Sequence, residues 1–223
     1  MKNLLLLIIV ISIFSSCSQK KEESLSADEI WHRYIKTFGD SAILYNTKTI
    51  EIYGQSQTSY GLMKIVMKAK FPDKGFYTMT APDNMFVTYI VNGDSGIIKS
   101  PTGTVGMSEE DFLLWKKTGL IYSELYEDSL ELVGIETING RPCYNIEVTT
   151  EAEVLHYFID TANFHVVRID SKLNTLEIID IVHIDGLNLV KTNRMIQGKD
   201  TFLMEFTSYN INPVIPDSIF DLD

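Results

Sequence analysis

From Lys48 onward apolar residues recur at every second position, interrupted at short intervals by turn residues. That period limits what the chain can fold into more than any other feature. In GLMKIVMKAK, Met63, Ile65, Met67 and Ala69 point one way and Lys64, Val66, Lys68 and Lys70 the other, as in a strand with one buried and one wet face. KGFYTMT and NMFVTYIVN continue the pattern. Met85, Val87, Tyr89 and Val91 share a face, and Asn92-Gly93-Asp94 signals a hairpin. Later come SLELVGIETI, PCYNIEVTT, EVLHYFID, FHVVRIDSK, LEIIDIVHID, LNLVKTNRMIQ and TFLMEFTSYNI. They are joined by turns at Asn139-Gly140, Asp160 to Asn163, Asp185-Gly186 and Gly198 to Asp200. Short strands at even spacing indicate an antiparallel sandwich or barrel.

Two segments read differently. Ser26-Ala27-Asp28-Glu29 is a capping box, followed by Ile30, Trp31, Tyr34, Ile35 and Phe38 at helical spacing and a stop at Gly39. SPTGTVG reads as turn. A second capping pattern at Ser108 then opens one or two helices over 108–127, with Phe112, Leu113 and Trp115 on an apolar side. The fold class is therefore mainly β with added α: a curved antiparallel sheet of about ten or eleven strands. The N-terminal helix and the central helical insertion cover one face, expected to be that of Met63, Met67, Met85 and Tyr89. No repeat or internal boundary divides residues 26–223, which read as one domain.

The start of the chain is distinct. Leu4 to Phe14 is apolar behind Lys2, and it is shorter than the about 20 residues a membrane-spanning helix needs. The pattern is that of a secretory signal. Phe14-Ser15-Ser16-Cys17 resembles the lipobox of bacterial lipoproteins, which implies cleavage between Ser16 and Cys17 and an acylated Cys17. Residues 1–16 are then the signal peptide, and 17–25 hold the acylated cysteine and a flexible tether. Lys21-Glu22-Glu23 resembles the basic-then-acidic export signal of some surface lipoproteins. The expected location is the outer membrane, on its periplasmic face, with the cell surface as the alternative. Loss of residues 1–16 takes the net charge from −11 to −12. Such a chain is repelled by nucleic acid and anionic headgroups, so the membrane is held through acylated Cys17. With Cys17 acylated, Cys143 has no disulfide partner.

Motifs for chemistry are sparse. The sequence has no GxSxG, phosphate loop, HExxH or CxxC. His156 and His165 flank a turn at a spacing that suits diagonal neighbours, but no third ligand is in register, so neither metal nor cofactor is expected. Cys143 is placed among Tyr144, Ile146 and Val148 as a small core residue. Methionine gathers in the first meander, at Met63, Met67, Met79 and Met85; it is flexible and polarizable and suits varied apolar partners. The candidate lining of an apolar cavity between helices and sheet is Trp31, Ile35, Met63, Ile65, Met67, Met85, Val87, Tyr89, Phe112 and Trp115.

The order ADEIWHRYIKTFG, TKTIEIYGQ, Phe71-Pro72-Asp73-Lys74, VNGDSGIIKSPTG, INGRPCYNIEV, HYFIDTANFHVVRID, HIDGLNLV and INPVIPDSIFDL resembles the outer-membrane lipoprotein-sorting proteins of the LolA/LolB-like superfamily, and in particular its divergent lipid-anchored relatives. The resemblance implies an incomplete antiparallel barrel with helices in its mouth, holding lipid or a lipoprotein acyl chain, without catalysis. Two other readings stand beside it: an interaction module docking another envelope protein through its sheet, and an enzyme centred on Cys143 or on His156 and His165. Metabolic labelling with a radioactive fatty acid should mark the wild-type protein and leave Cys17→Ala unlabelled.

Overall fold

The computed structural model describes residues 25–58, 61–83, 85–118, 125, 129–151 and 153–223. The expected signal segment, Cys17 and the tether before residue 25 lie outside the described residues, as do 119–124 and 126–128 of the central insertion.

Helices α1 (Ala27–Lys36) and α2 (Ser41–Asn46) lead into strands β1 (Thr49–Thr58), β2 (Gly61–Lys70), β3 (Lys74–Thr80), β4 (Phe86–Asn92), β5 (Ser95–Ser100) and β6 (Gly103–Gly106). After α3 (Glu109–Thr118) come β7 (Ser129–Ile138), β8 (Arg141–Thr149), β9 (Val154–Asp160), β10 (Val166–Asp170), β11 (Thr175–Ile184), β12 (Leu187–Gln197) and β13 (Asp200–Ile211). Among the described residues thirteen strands form one sheet in the order β6-β5-β4-β3-β2-β1-β13-β12-β11-β10-β9-β8-β7. Each half is a meander of hairpins, and β1 and β13 join the halves antiparallel, from Ile50 opposite Ile211 to Gln57 opposite Leu203. The sheet is curved but not closed: its edges are β6 and β7, consecutive strands with α3 between them.

The count exceeds the sequence expectation partly because β6, expected as turn, pairs with β5 through Ile98 and Val105. Its four exposed residues make a short, blunt edge. Turn chemistry behaves as expected. Asn139 and Gly140 have φ of 49° and 80°, and Asp185 and Gly186 have 48° and 86°, the left-handed pair of a tight hairpin.

Local signals build α1 as read. Ser26 Oγ accepts from Glu29 N at 3.2 Å, and Glu29 Oε2 accepts from Ser26 N at 2.9 Å. Asp28 and Glu29 in the first turn and Arg33 and Lys36 in the last complement the helix dipole. Its apolar stripe lies elsewhere than expected. Ile30, Trp31 and Tyr34 pack on Ile146, Val148, Leu155, Tyr157 and Ile159 of β8 and β9, not on the methionine strands. The reason is a clamp just beyond the helix. Asp40 N donates to Gly186 O at 2.9 Å, and Asn188 N donates to Phe38 O at 2.7 Å. A Cβ on Gly39 would lie 2.2 Å from Gly186 O, so only glycine admits this approach to the β11–β12 turn. The clamp launches α2, unforeseen because six residues show no period. Asp40 caps it by accepting from Ala42 N at 2.8 Å, and it sets Leu44 into the core.

The face that the helices cover is the inner one. A second core lies on the outer face, which the alternation pattern left as the wet side. After β13 the chain crosses to β3–β5, where Ile215 and Phe220 pack with Ile90, Ile97 and the partly buried Phe76. Lys70 and Lys74 both reach Asp217, and Asn92 Nδ2 donates to Phe220 O at 3.2 Å. Phe220 is fully buried. Phe220→Ala should lower stability by about 3–5 kcal/mol in urea unfolding and free the C-terminal segment to proteolysis.

Candidate functional site

The inner face can be followed strand by strand from the register. Ile98 of β5 opposes Tyr89 of β4, which opposes Tyr77 of β3, which opposes Met67 of β2, which opposes Ile52 of β1. Across the junction Ile52 opposes Tyr209 and Gly54 opposes Phe206. In β12 and β11 the row continues through Met195 and Leu176, and Ile169 of β10 then opposes Tyr157 of β9. The result is an apolar wall. Part of it is sealed: Ile50, Ile65, Leu187 and Leu189 are buried under Leu44 of α2. Much of the rest is only half-buried, including Met63, Met67, Tyr77, Met79, Leu176, Val182 and Met195.

Glycine shapes this wall at two points. A Cβ on Gly54 would fall 2.7 Å from Cδ1 of Phe206, so the ring lies across bare backbone. A Cβ on Gly96 would fall 2.5 Å from Sδ of Met107, so the chain leading into α3 folds onto the inner face beside β4 and β5. Burial, and then the charge of Asp111 on that helix, push the Tyr89 phenol up. Where Leu44, Tyr45, Phe71, Pro72 and Leu125 meet, a cleft of about 190 Å³ opens beside the main core.

The expected lining residues fall into three groups. Met63, Ile65, Met67, Val87 and Tyr89 share the inner wall; Ile65 is buried and the other four half-buried. Phe112 is buried and Trp115 half-buried on α3, while Met85 stands exposed before β4, at the rim. Trp31 and Ile35 belong to the packed cluster under α1, where Trp31 meets Tyr157 edge-on at 4.9 Å. They close one flank of the face rather than line the methionine wall.

Alternation starting from Ile50 and Ile52 would have placed Gly54 and Ser56 on the inner face as well, and their polarity hid them. Tyr77, Tyr209, Met195 and Met204 lie on strands that the period-two pattern marks, but their place in the wall depends on pairings the sequence does not display.

The groups expected to matter for chemistry lie on or near the outer face and apart. Consecutive strand residues face opposite ways, so Cys143 does not sit with Tyr144, Ile146 and Val148; it lies across the sheet with Ile138, Phe158 and Val167, fully buried. Burial and then the charge of Asp160 push its thiol up, away from thiolate. His156 is paired with Asn145 at 3.0 Å and opposes Asp170, whereas His165 accepts from Asp160 N through its carbonyl. Four residues of strand, about 13 Å, thus separate the levels of the two histidines. Among the described residues no group of three His, Cys, Asp or Glu side chains could hold a metal ion. The outer face carries ion pairs, Lys68 with Glu51 at 2.7 Å and Arg194 with Glu177 at 2.9 Å. Together with the open edges, these are incompatible with a sheet that faces lipid hydrocarbon. No described helix is long and apolar enough to cross a membrane.

Burial and then the charge of Asp180 push the Tyr209 phenol up from 10.0 to about 12, and its hydroxyl donates to Val190 O at 2.8 Å. Burial also raises Tyr77. The folded state prefers these phenols neutral. Their contribution to stability is therefore whole below pH 10 and is lost as pH rises towards about 12. Alkaline titration at 295 nm should leave both un-ionised until the protein unfolds. In a chain starting at residue 24, Ellman's reagent should modify Cys143 only on unfolding.

No family model matches the chain, and no curated protein does. Solved structures share its architecture. A LolA-superfamily protein from Nitrosomonas europaea aligns over 89% of this chain and 98% of its own, with a TM-score of 0.62 and 12% identity. A DUF1329-family protein from Desulfovibrio piger aligns over the same shares, with a TM-score of 0.63 and 12% identity. A domain from Vibrio parahaemolyticus, described as an outer membrane lipoprotein-sorting protein, aligns over 87% of this chain and 94% of its own, at 0.57 and 12%. At such identities the likeness is one of fold alone: the chain shares with these structures the architecture described above, an open, curved antiparallel sheet.

Proposed function

We propose that this is a lipid-anchored envelope protein whose inner face binds an apolar ligand, a lipid or the acyl chain of a lipoprotein. The observation that carries the reading is the half-buried wall of Met63, Met67, Tyr77, Met79, Val87, Tyr89 and Met195 on the helix-covered face. A monomer that served only as a scaffold would gain stability by filling that face, since each buried methylene is worth about 0.8 kcal/mol. Methionines let one surface fit chains of different shape. The fold shared with a domain described as a lipoprotein-sorting protein supports the same reading. Acylation at Cys17 would hold the domain on a tether of about 30 Å at full extension, close to a supply of lipid at the outer membrane.

The rival readings have less support. The outer face over β3–β5 is occupied by the protein's own C-terminal segment, which leaves less of it for a docking partner. The enzyme reading rested on Cys143, which is sealed, and on two histidines that the fold keeps apart.

Native mass spectrometry of the chain from residue 24 should find co-purified lipid or uptake of added fluorescent fatty acid. Met67→Arg, which puts a charge on the wall, should cut uptake by about tenfold or more. Val66→Arg, on the opposite face, should leave it within about twofold, as for other surface changes. No uptake by the wild-type chain would refute the proposal.

A further inference from the structure

Two polar side chains in the apolar wall each hold an oxygen without a partner among the described residues. Ser56 on β1 is fully buried and Asn193 on β12 is 7% exposed, yet among the described residues Ser56 Oγ and Asn193 Oδ1 have no hydrogen-bond partner. Both oppose the same residue of β13, Met204. They therefore lie at one level of the inner face, two strand spacings or about 10 Å apart, with Met204 between them. Met63 opposes Ser56 on its other side and Ile178 opposes Asn193. A buried polar group left unpaired is costly, and interiors rarely keep one without a use for it.

We infer that Ser56 and Asn193 form a neutral polar subsite that receives the ester or amide group of an acylated ligand while its chain lies along the methionine wall; this rests on the apolar-ligand reading above. A hydroxyl donates to a carbonyl, and a carboxamide both donates and accepts, so the pair suits a carbonyl beside a hydroxyl or N–H. Met204, Met63 and Met195 surround the site on flexible stems that can move aside as the group enters. An uncharged group is favoured because Lys191, two residues along β12 from Asn193, is bound to Asp180 at 3.0 Å. A carboxylate or phosphate at Ser56 would be buried without a counter-charge.

The test uses full-length protein in detergent and three probes with eighteen-carbon chains: 1-octadecene, oleate and 1-monoolein. Native mass spectrometry reads binding, and thermal melting reads the ligand-free fold. Monoolein should bind at least about tenfold more tightly than octadecene, as one or two added hydrogen bonds predict. Ser56→Ala with Asn193→Leu should remove that advantage and leave octadecene unchanged. Should the double variant fail to fold, Ser56→Ala alone should lose part of the advantage, and its melting temperature should equal or exceed wild type because an unpaired group is gone. Equal binding of monoolein and octadecene by wild type would overturn the subsite and leave the apolar-ligand reading standing. Preferential binding of oleate would overturn the neutral class. A lower melting temperature in Ser56→Ala would show that the hydroxyl is already satisfied in the free protein, against the inference. Failure of all three probes to bind would take the apolar-ligand reading down with it.

Discussion

The antiparallel pairing of β1 with β13 turns two meanders into one sheet. Without it the chain would make two separate meanders, each with a bare edge where the other now lies. With it, strands some 150 residues apart in the chain become neighbours, as Ile52 and Tyr209 do. The pairing also leaves β6 and β7 as the two free edges, and these are consecutive strands. The segment that carries α3 therefore links the two edges of the open sheet. The junction is reinforced outside the ladder: Asn212 Oδ1 accepts from Lys48 N at 2.7 Å, and Thr49 Oγ1 donates to Pro213 O at 2.7 Å.

Much of this was legible because strands have a period of two and their turns have their own chemistry. Spacing groups Met63, Ile65, Met67 and Ala69 on one side of their strand and Met85, Val87, Tyr89 and Val91 on one side of theirs, and the register through β3 bears out the expectation that the two sets share a face. Asn139-Gly140 and Asp185-Gly186 declared their hairpins. What stayed hidden needs information from afar. Nothing near Thr49 says that its partner is the last strand. The clamp that steers α1 onto β8 and β9 depends on Gly39 meeting Gly186, a contact between two loops. The C-terminal segment looked like an ending, yet Ile215 and Phe220 build a core of their own on the face that alternation marks as wet.

The candidate site shows the same division. Alternation identified which residues face inward, but not which of them are sealed. Ile65 is covered, whereas Met63 and Met67 beside it remain half-open. That difference is set by where α2 and the chain before α3 come to rest, which no local pattern encodes. A wall left partly open in a protein of ordinary hydrophobic content is what the proposed binding of an apolar ligand requires.

On the proposed function the inner face, and not the outer, meets lipid in the envelope. Replacing Tyr89 with the photocrosslinker benzoylphenylalanine places the probe on the inner wall. The same replacement of Phe86, an aromatic residue on the opposite face of the same strand, serves as the control. After irradiation of intact cells, mass spectrometry of the purified protein should find acyl-lipid adducts at position 89 and few or none at position 86. Equal lipid adducts at both positions, or none at position 89, would contradict the account.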